Sequence, residues 1–228
     1  MTVRINKPAL NLREELTKAQ SVVPYVQQQF WMDGLVENGT FDNDISGWVG
    51  YNSTPTWDSG GKLRIDAATG SDGAQTLNNA ITGLTVGKQY ILSCDIELGT
   101  ASSAKVEIYQ ADTSNLLASI EKSSSGSYQA VFTATALTGT IYALSGASAT
   151  GTVFFDNIAV FEVDENDEVI HSLPLGWKPL HFYEDGLIQR EGDVHDYTVV
   201  KTGGAYAIKP AVQPTATTET CVIAEREL

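Results

Sequence analysis

Apolar and polar residues alternate with a period of two through much of the chain, and that alternation predicts strands. In KQYILSCDIEL, Tyr90, Leu92, Cys94, Ile96 and Leu98 alternate with Gln89, Ser93, Asp95 and Glu97, with Ile91 out of step. Such a run turns one face of a strand toward a core. KVEIYQ repeats the pattern with Val106 and Ile108 inward, and SYQAVFTAT does so with Tyr128, Ala130 and Phe132. TVFFDNIAVFEV is apolar at both parities, as a strand covered on both faces requires. Glycine-bearing turn signals separate the runs at Ser59-Gly60-Gly61, Thr82-Gly83, Val86-Gly87, Ser125-Gly126, Thr138-Gly139 and Gly146. No helical periodicity is sustained between residues 36 and 163. Many short strands with regular turns predict a jelly-roll β-sandwich over 36–163.

The two ends have a different character. Over 1–35, Asn11 and Glu14 resemble a capping box. Leu12, Leu16, Ala19 and Val23 then follow at helical spacing, and Pro24 ends the run. A helix this short needs a surface for its apolar face. The expectation is an N-terminal arm that docks on a partner through Leu12, Leu16, Val23, Phe30 and Trp31; packing on its own domain is the alternative. Residues 164–172, DENDEVIHS, read as an acidic linker. Residues 173–228 read as a small C-terminal β domain, with hairpin turns at Asp185-Gly186 and Gly203-Gly204 and a last strand in TETCVIAE. Its core is thin for about 55 residues, which favours leaning on a neighbour or a second copy.

Charge removes several partner classes. Fourteen basic residues stand against 28 acidic ones, a net charge of −14. A basic patch for nucleic acid or anionic lipid is therefore not expected. No stretch is apolar enough to span a bilayer, and MTVRINKPALNLREEL lacks the apolar run of a signal peptide. Folding in a cytoplasm is the resulting expectation, with Cys94 and Cys221 as buried thiols.

The central stretch resembles the carbohydrate-binding modules of the galactose-binding-like jelly-roll superfamily. ENGTFDNDISGW resembles their opening strand and Gly-Trp, ITGLTVGKQYILSCDIEL the turn and core strand, YQAVFTAT a later strand, and FFDNIAVFE the closing strand. The resemblance implies a structural calcium ion, held by the Thr40 carbonyl, Asp42 and Asp156, as the possible cofactor. It also implies a core role for Trp48. LPLGWKPLHFYEDGLIQREGDVHDYTVV, PAVQPTATTETCVIAE and KPALNLREEL resemble segments of bacteriophage structural proteins. They imply a virion accessory protein, a head decoration or a neck or tail appendage, made in the host cytoplasm. Its partners would be other virion proteins and its own copies, with a homotrimer by analogy. The alternative is a free-standing carbohydrate-binding module or a receptor-binding tip.

Sugar recognition needs exposed rings for pyranose faces and polar groups for hydroxyls. Trp57, in the turn-rich TPTWDSGG, and Tyr51 are candidates, as are Tyr109 and Tyr142, which fall at the parity opposite the inward residues. No catalytic pattern stands against this reading. The three histidines form no HExxH pair, and neither a GxSxG elbow nor a phosphate loop occurs. A non-enzymatic binding and assembly protein is the expectation.

Overall fold

The computed structural model describes residues 27–31, 34–77, 80–110, 115–185, 187–189, 191–192, 196–202, 204–214, 218 and 220–226. Leu12, Leu16 and Val23, and the helix expected around them, lie outside the described residues. In chain order the strands are β1 (Gln27–Trp31), β2 (Trp48–Tyr51), β3 (Thr56–Asp58), β4 (Lys62–Ala67), β5 (Gly73–Thr76), β6 (Gln89–Leu98), β7 (Ala104–Gln110), β8 (Leu116–Lys122) and β9 (Gly126–Thr133). There follow β10 (Gly139–Ser145), β11 (Gly151–Val163), β12 (His171–Ser172), β13 (Trp177–Glu184), β14 (Leu187–Ile188), β15 (Tyr197–Thr202), β16 (Ala205–Pro210) and β17 (Thr220–Arg226). Among the described residues there is no helix.

Strands β2–β11 make a sandwich of two five-stranded antiparallel sheets, ordered β2-β5-β10-β7-β8 and β3-β4-β11-β6-β9. The chain crosses repeatedly between the sheets, as in a jelly roll. Period-two alternation supplies the core. Val106, Ile108, Ile141 and Ala143 from the first sheet meet Leu63, Leu92, Ile96 and Phe155 from the second, all buried. Tyr128 and Ala130 are half-buried against that core and Phe132 is inside it. Trp48 is buried, as the resemblance implied. The doubly apolar β11 is central in its sheet, between β4 and β6. Ile91, the residue out of step, is buried on the outer side with Ala159, Phe161, Val163 and Val169. A later segment covers it, so the broken alternation marks a real contact.

That covering segment lies within the expected linker. Asp164 Oδ1 accepts the amides of Asn166 (2.8 Å) and Glu168 (3.1 Å), which closes a turn. Val169 then pairs back with Val163 and is buried. Residues 164–172 are thus a folded turn and return strand, not a solvated spacer. The two apolar residues at its end, Val169 and Ile170, outweigh the acidic ones before them.

The C-terminal unit has a four-stranded sheet, β1-β17-β13-β14, and a three-stranded sheet, β12-β16-β15. Its core is Leu173, Phe182, Tyr197, Ile208, Val222 and Ala224. Both expected hairpins form. Tyr183 pairs with Ile188 and Glu184 with Leu187 around the Asp185 turn, where Asp185 has φ 49°. Thr202 pairs with Ala205 across the second turn. β1 departs from the expected organisation. Its residues Phe30 and Trp31, assigned to the docking arm, pair with Val222 and Cys221 of β17. They belong to the chain's own C-terminal sheet, so the arm boundary at residue 35 falls too late. Strand pairing between residues about 190 positions apart leaves no local signal in the sequence.

Candidate glycan-binding face

Three of the four candidate rings meet on the outer face of the first sheet. Val49, Gln75, Tyr142, Glu107 and Ser119 stand opposite one another across β2, β5, β10, β7 and β8, forming one lateral row. In β7 the inward residues are Ala104, Val106 and Ile108, so Lys105, Glu107 and Tyr109 face out. In β10, Ile141 and Ala143 face in, and Thr140, Tyr142 and Leu144 face out. The Tyr142 ring lies edge-on to Tyr51 at 5.1 Å and 86°, and to Tyr109 at 5.3 Å and 78°. Edge-to-face geometry is the favoured one for such rings and holds the three in fixed mutual orientation.

An outward sheet face is ordinarily wet. Here Thr140 is 0%, Leu144 3% and Glu107 7% exposed. Glu107 is held by three donors: Lys105 Nζ at 3.1 Å, the Tyr109 hydroxyl at 3.2 Å and the Ser119 hydroxyl at 3.4 Å. Burial, and then the Glu107 charge, push the Tyr109 phenol above its ordinary pKa, so it stays a neutral donor and acceptor. The face therefore joins half-buried and exposed rings with a fixed, buried polar group, the two components a sugar site needs.

Sequence reading placed Tyr109 and Tyr142 on this face but missed Gln75, Glu107 and Thr140. The signal available was KVEIYQ, where a lysine, a glutamate and a tyrosine share the outward parity. Trp57 does not join the group. It sits on β3 in the opposite sheet, paired with Leu63, and its indole N–H donates to the Phe41 carbonyl at 2.7 Å. That bond makes Trp57 a latch on the opening segment.

The second sheet's outer face is chemically different. A cleft of about 290 Å³ there is lined by Lys62, Asp95, Glu97, Ser127, Phe154 and Asp156, among others. Arg64 lies over the Phe154 ring at 5.9 Å, which covers the aromatic surface. Of the calcium candidates, Asp156 lines this cleft and feels the Asp42 charge. Thr40 donates its hydroxyl to Asp42 Oδ2 at 2.8 Å, and Asp156 Oδ1 accepts the Asn157 amide at 2.8 Å. Calcium takes six to eight oxygens. Among the described residues, no three His, Cys, Asp or Glu side chains converge for a metal. Lys62 is a cation whose charge reaches Asp156, alongside the carboxylates of Asp95 and Asp42.

Burial raises the Asp156 pKa, and repulsion from Asp95 and Asp42 adds to it, against the Asn157 amide and Lys62. A carboxyl whose folded pKa is raised binds its proton more readily when folded. Its ionisation opposes folding as pH rises from the ordinary value of 3.8 through the folded value. Asp156→Asn keeps the acceptor for the Asn157 amide and removes the charge. The expected result is a higher melting temperature at pH 7 and no gain at pH 3. A variant that melts lower, most of all in millimolar calcium, would argue for a metal at this position.

Cys94 and Cys221 are both buried thiols. Burial pushes the Cys94 thiol up to about 12, which keeps it protonated and unreactive.

Fold and face together define a β-sandwich module with an aromatic, polar platform on one sheet. No family model matches the chain, and no curated protein matches it. Among solved structures the chain is similar to a family 4 carbohydrate-binding module, at 18% identity and TM-score 0.45, over 56% of this chain and 99% of that one. It is also similar to the N-terminal cellulose-binding domain of Cellulomonas fimi β-1,4-glucanase C, at 21% identity and TM-score 0.45, over 57% and 97%. A third likeness is to the xylan-binding domain of Paenibacillus barcinonensis Xyn10C, at 10% identity and TM-score 0.43, over 58% and 96%. The chemistry of the face is read from its own geometry.

Proposed function

We propose that the chain is a non-catalytic glycan-binding module whose ligand lies across the outer face of the β2-β5-β10-β7-β8 sheet. The observation that carries this is the Tyr51–Tyr142–Tyr109 cluster, with Tyr142 in the centre and in ring contact with both others. Gln75 and Glu107 stand beside Tyr142 in the same row. Rings offer apolar surface to the C–H faces of pyranoses, and the row offers hydrogen bonds to hydroxyls. No proton-transfer pair is needed for that task.

Tyr142→Ala tests the proposal. The substitution removes the central ring from a half-buried outward position and leaves the core side of β10 intact. Retention on immobilised polysaccharide beads is expected to weaken about tenfold, or 1.4 kcal/mol, while the chain stays folded with a transition lowered by the loss of two ring contacts. Equal retention of variant and parent would remove the tyrosine face from consideration. Trp57→Phe provides the contrast: it breaks the bond to Phe41 and should lower stability without changing retention.

Display of this module on a phage particle, as a homotrimer attached by its N-terminal arm, is the setting that the terminal resemblances imply. Sedimentation of the purified chain and a map of the intact particle test it.

A further inference from the structure

We propose that Glu107 is the specificity-determining residue of this face, admitting uncharged, hydroxyl-bearing glycans and turning away those that carry carboxylates or sulfates. The inference rests on the glycan-binding reading of the same face. A carboxylate has about four acceptor positions and, when ionised, no donor. Among the described residues three donors reach Glu107, two of them at Oε1 (Lys105, Ser119) and one at Oε2 (Tyr109). Oε2 therefore keeps one acceptor position that no described residue fills, and Tyr142 is the cross-strand partner of Glu107. That position is satisfied by a ligand that presents an O–H or N–H, and a ligand carboxylate or sulfate presents neither.

Charge reinforces the selection. Lys105 already pairs with Glu107, with both side chains largely buried at 16% and 10% exposure. Lys105 also faces Glu121 across β8. The local balance of Lys105, Glu107 and Glu121 is negative, inside a chain of net charge −14. A ligand anion brought to this face meets a fixed carboxylate at reduced dielectric, where repulsion is stronger than in water. A neutral sugar hydroxyl meets a preoriented acceptor.

Depletion of the purified full chain onto beads tests this. One set of beads carries neutral glucan, xylan or mannan, and the other carries polygalacturonate or alginate. Each is run at low salt and at about 0.5 M salt, where the long-range field is screened. The parent chain should bind at least one neutral polymer and neither polyuronate at either salt. Glu107→Gln should weaken neutral binding about tenfold and, with the carboxylate charge gone, show retention on the polyuronate beads that the parent lacks. Glu107→Asp keeps the charge but withdraws the oxygens by one methylene. It should weaken neutral binding while still excluding polyuronates, and it carries the test if the glutamine variant does not fold. Equal binding of both polymer classes by the parent overturns the role of Glu107, and so does unchanged affinity in the aspartate variant. No retention on any polymer, neutral or charged, overturns the glycan reading itself.

Discussion

Lowering the pH from 7 to 4 is expected to unfold the C-terminal unit before the sandwich. The cause is His171 on β12, which is 4% exposed and whose Nε2 has no hydrogen-bond partner among the described residues. It packs 5.8 Å from the Phe182 ring in that unit's core and stands opposite Ile208. Burial pushes its pKa down from 6.5 to about 4. A base whose folded pKa is depressed binds protons more readily when unfolded. Its full stability is therefore present above 6.5 and is lost as pH falls toward 4. At 1.36 kcal/mol per tenfold change in proton affinity, the loss is about 3 kcal/mol. That is a large share for a unit with six residues in its core cluster.

The sandwich titrates later. Asp66 is held below its ordinary pKa of 3.8 by the Arg64 and Thr152 hydrogen bonds, and Asp72 by the Thr69 amide and hydroxyl. Their contributions persist above 3.8 and are lost only below it. Asp156, with its raised pKa, gains stability for the sandwich over part of the same acid range. Glu184 also acts in that stabilising direction within the C-terminal unit, because burial and then Asp185 and Asp196 raise it. It is only half-buried, so His171 outweighs it. Melts at pH 7, 6, 5 and 4 should resolve a separate early transition, and His171→Leu should flatten its dependence between 6.5 and 4. A parent transition that does not move over that interval, or a variant that retains the slope, would defeat the assignment.

The sandwich strands were legible because burial on one face leaves a period-two trace. The inward sets Tyr90, Leu92, Cys94 and Ile96, and Val106 and Ile108, are buried as the alternation requires. The outward parity of Tyr109 and Tyr142 came from the same trace. Their meeting did not. The row Val49–Gln75–Tyr142–Glu107–Ser119 depends on sheet order and register across five strands, of which only β7 and β8 are joined by a short turn. No local pattern encodes that. Trp57 is exposed, as its turn-rich segment suggests, but its place on β3 of the other sheet, apart from the tyrosines and with its indole N–H bonded to Phe41, comes from pairing that no local pattern shows. β1 was unreadable because its partner β17 lies at the other end of the chain.

Gly39→Ala is expected to destabilise the sandwich strongly. Gly39 carries the Asn-Gly-x-Phe pattern that, at the sequence level, was only a resemblance. Its carbonyl accepts the Ile158 amide at 2.9 Å. A Cβ at Gly39 would fall 1.9 Å from the Ile158 carbonyl oxygen and 3.0 Å from its carbon. Backbone on β11 cannot rotate aside as a side chain could. The two segments must separate, which breaks the Ile158 bond. It also displaces Phe41, fully buried with its ring 5.3 Å from Trp48. Trp48 begins β2, which ends at Tyr51, so the disturbance reaches the tyrosine platform. The loss should be about 3 kcal/mol or more, and about 6–12 °C in melting temperature for a chain of this size. Gly47→Ala gives the contrast. Nothing lies within 4 Å of a Cβ there, and the cost is only that of a left-handed backbone at φ 83°, about 1 kcal/mol. Calorimetry of the two variants side by side decides the matter. If Gly39→Ala melts no lower than Gly47→Ala, the close approach of the opening segment to β11 is not what holds the sandwich closed.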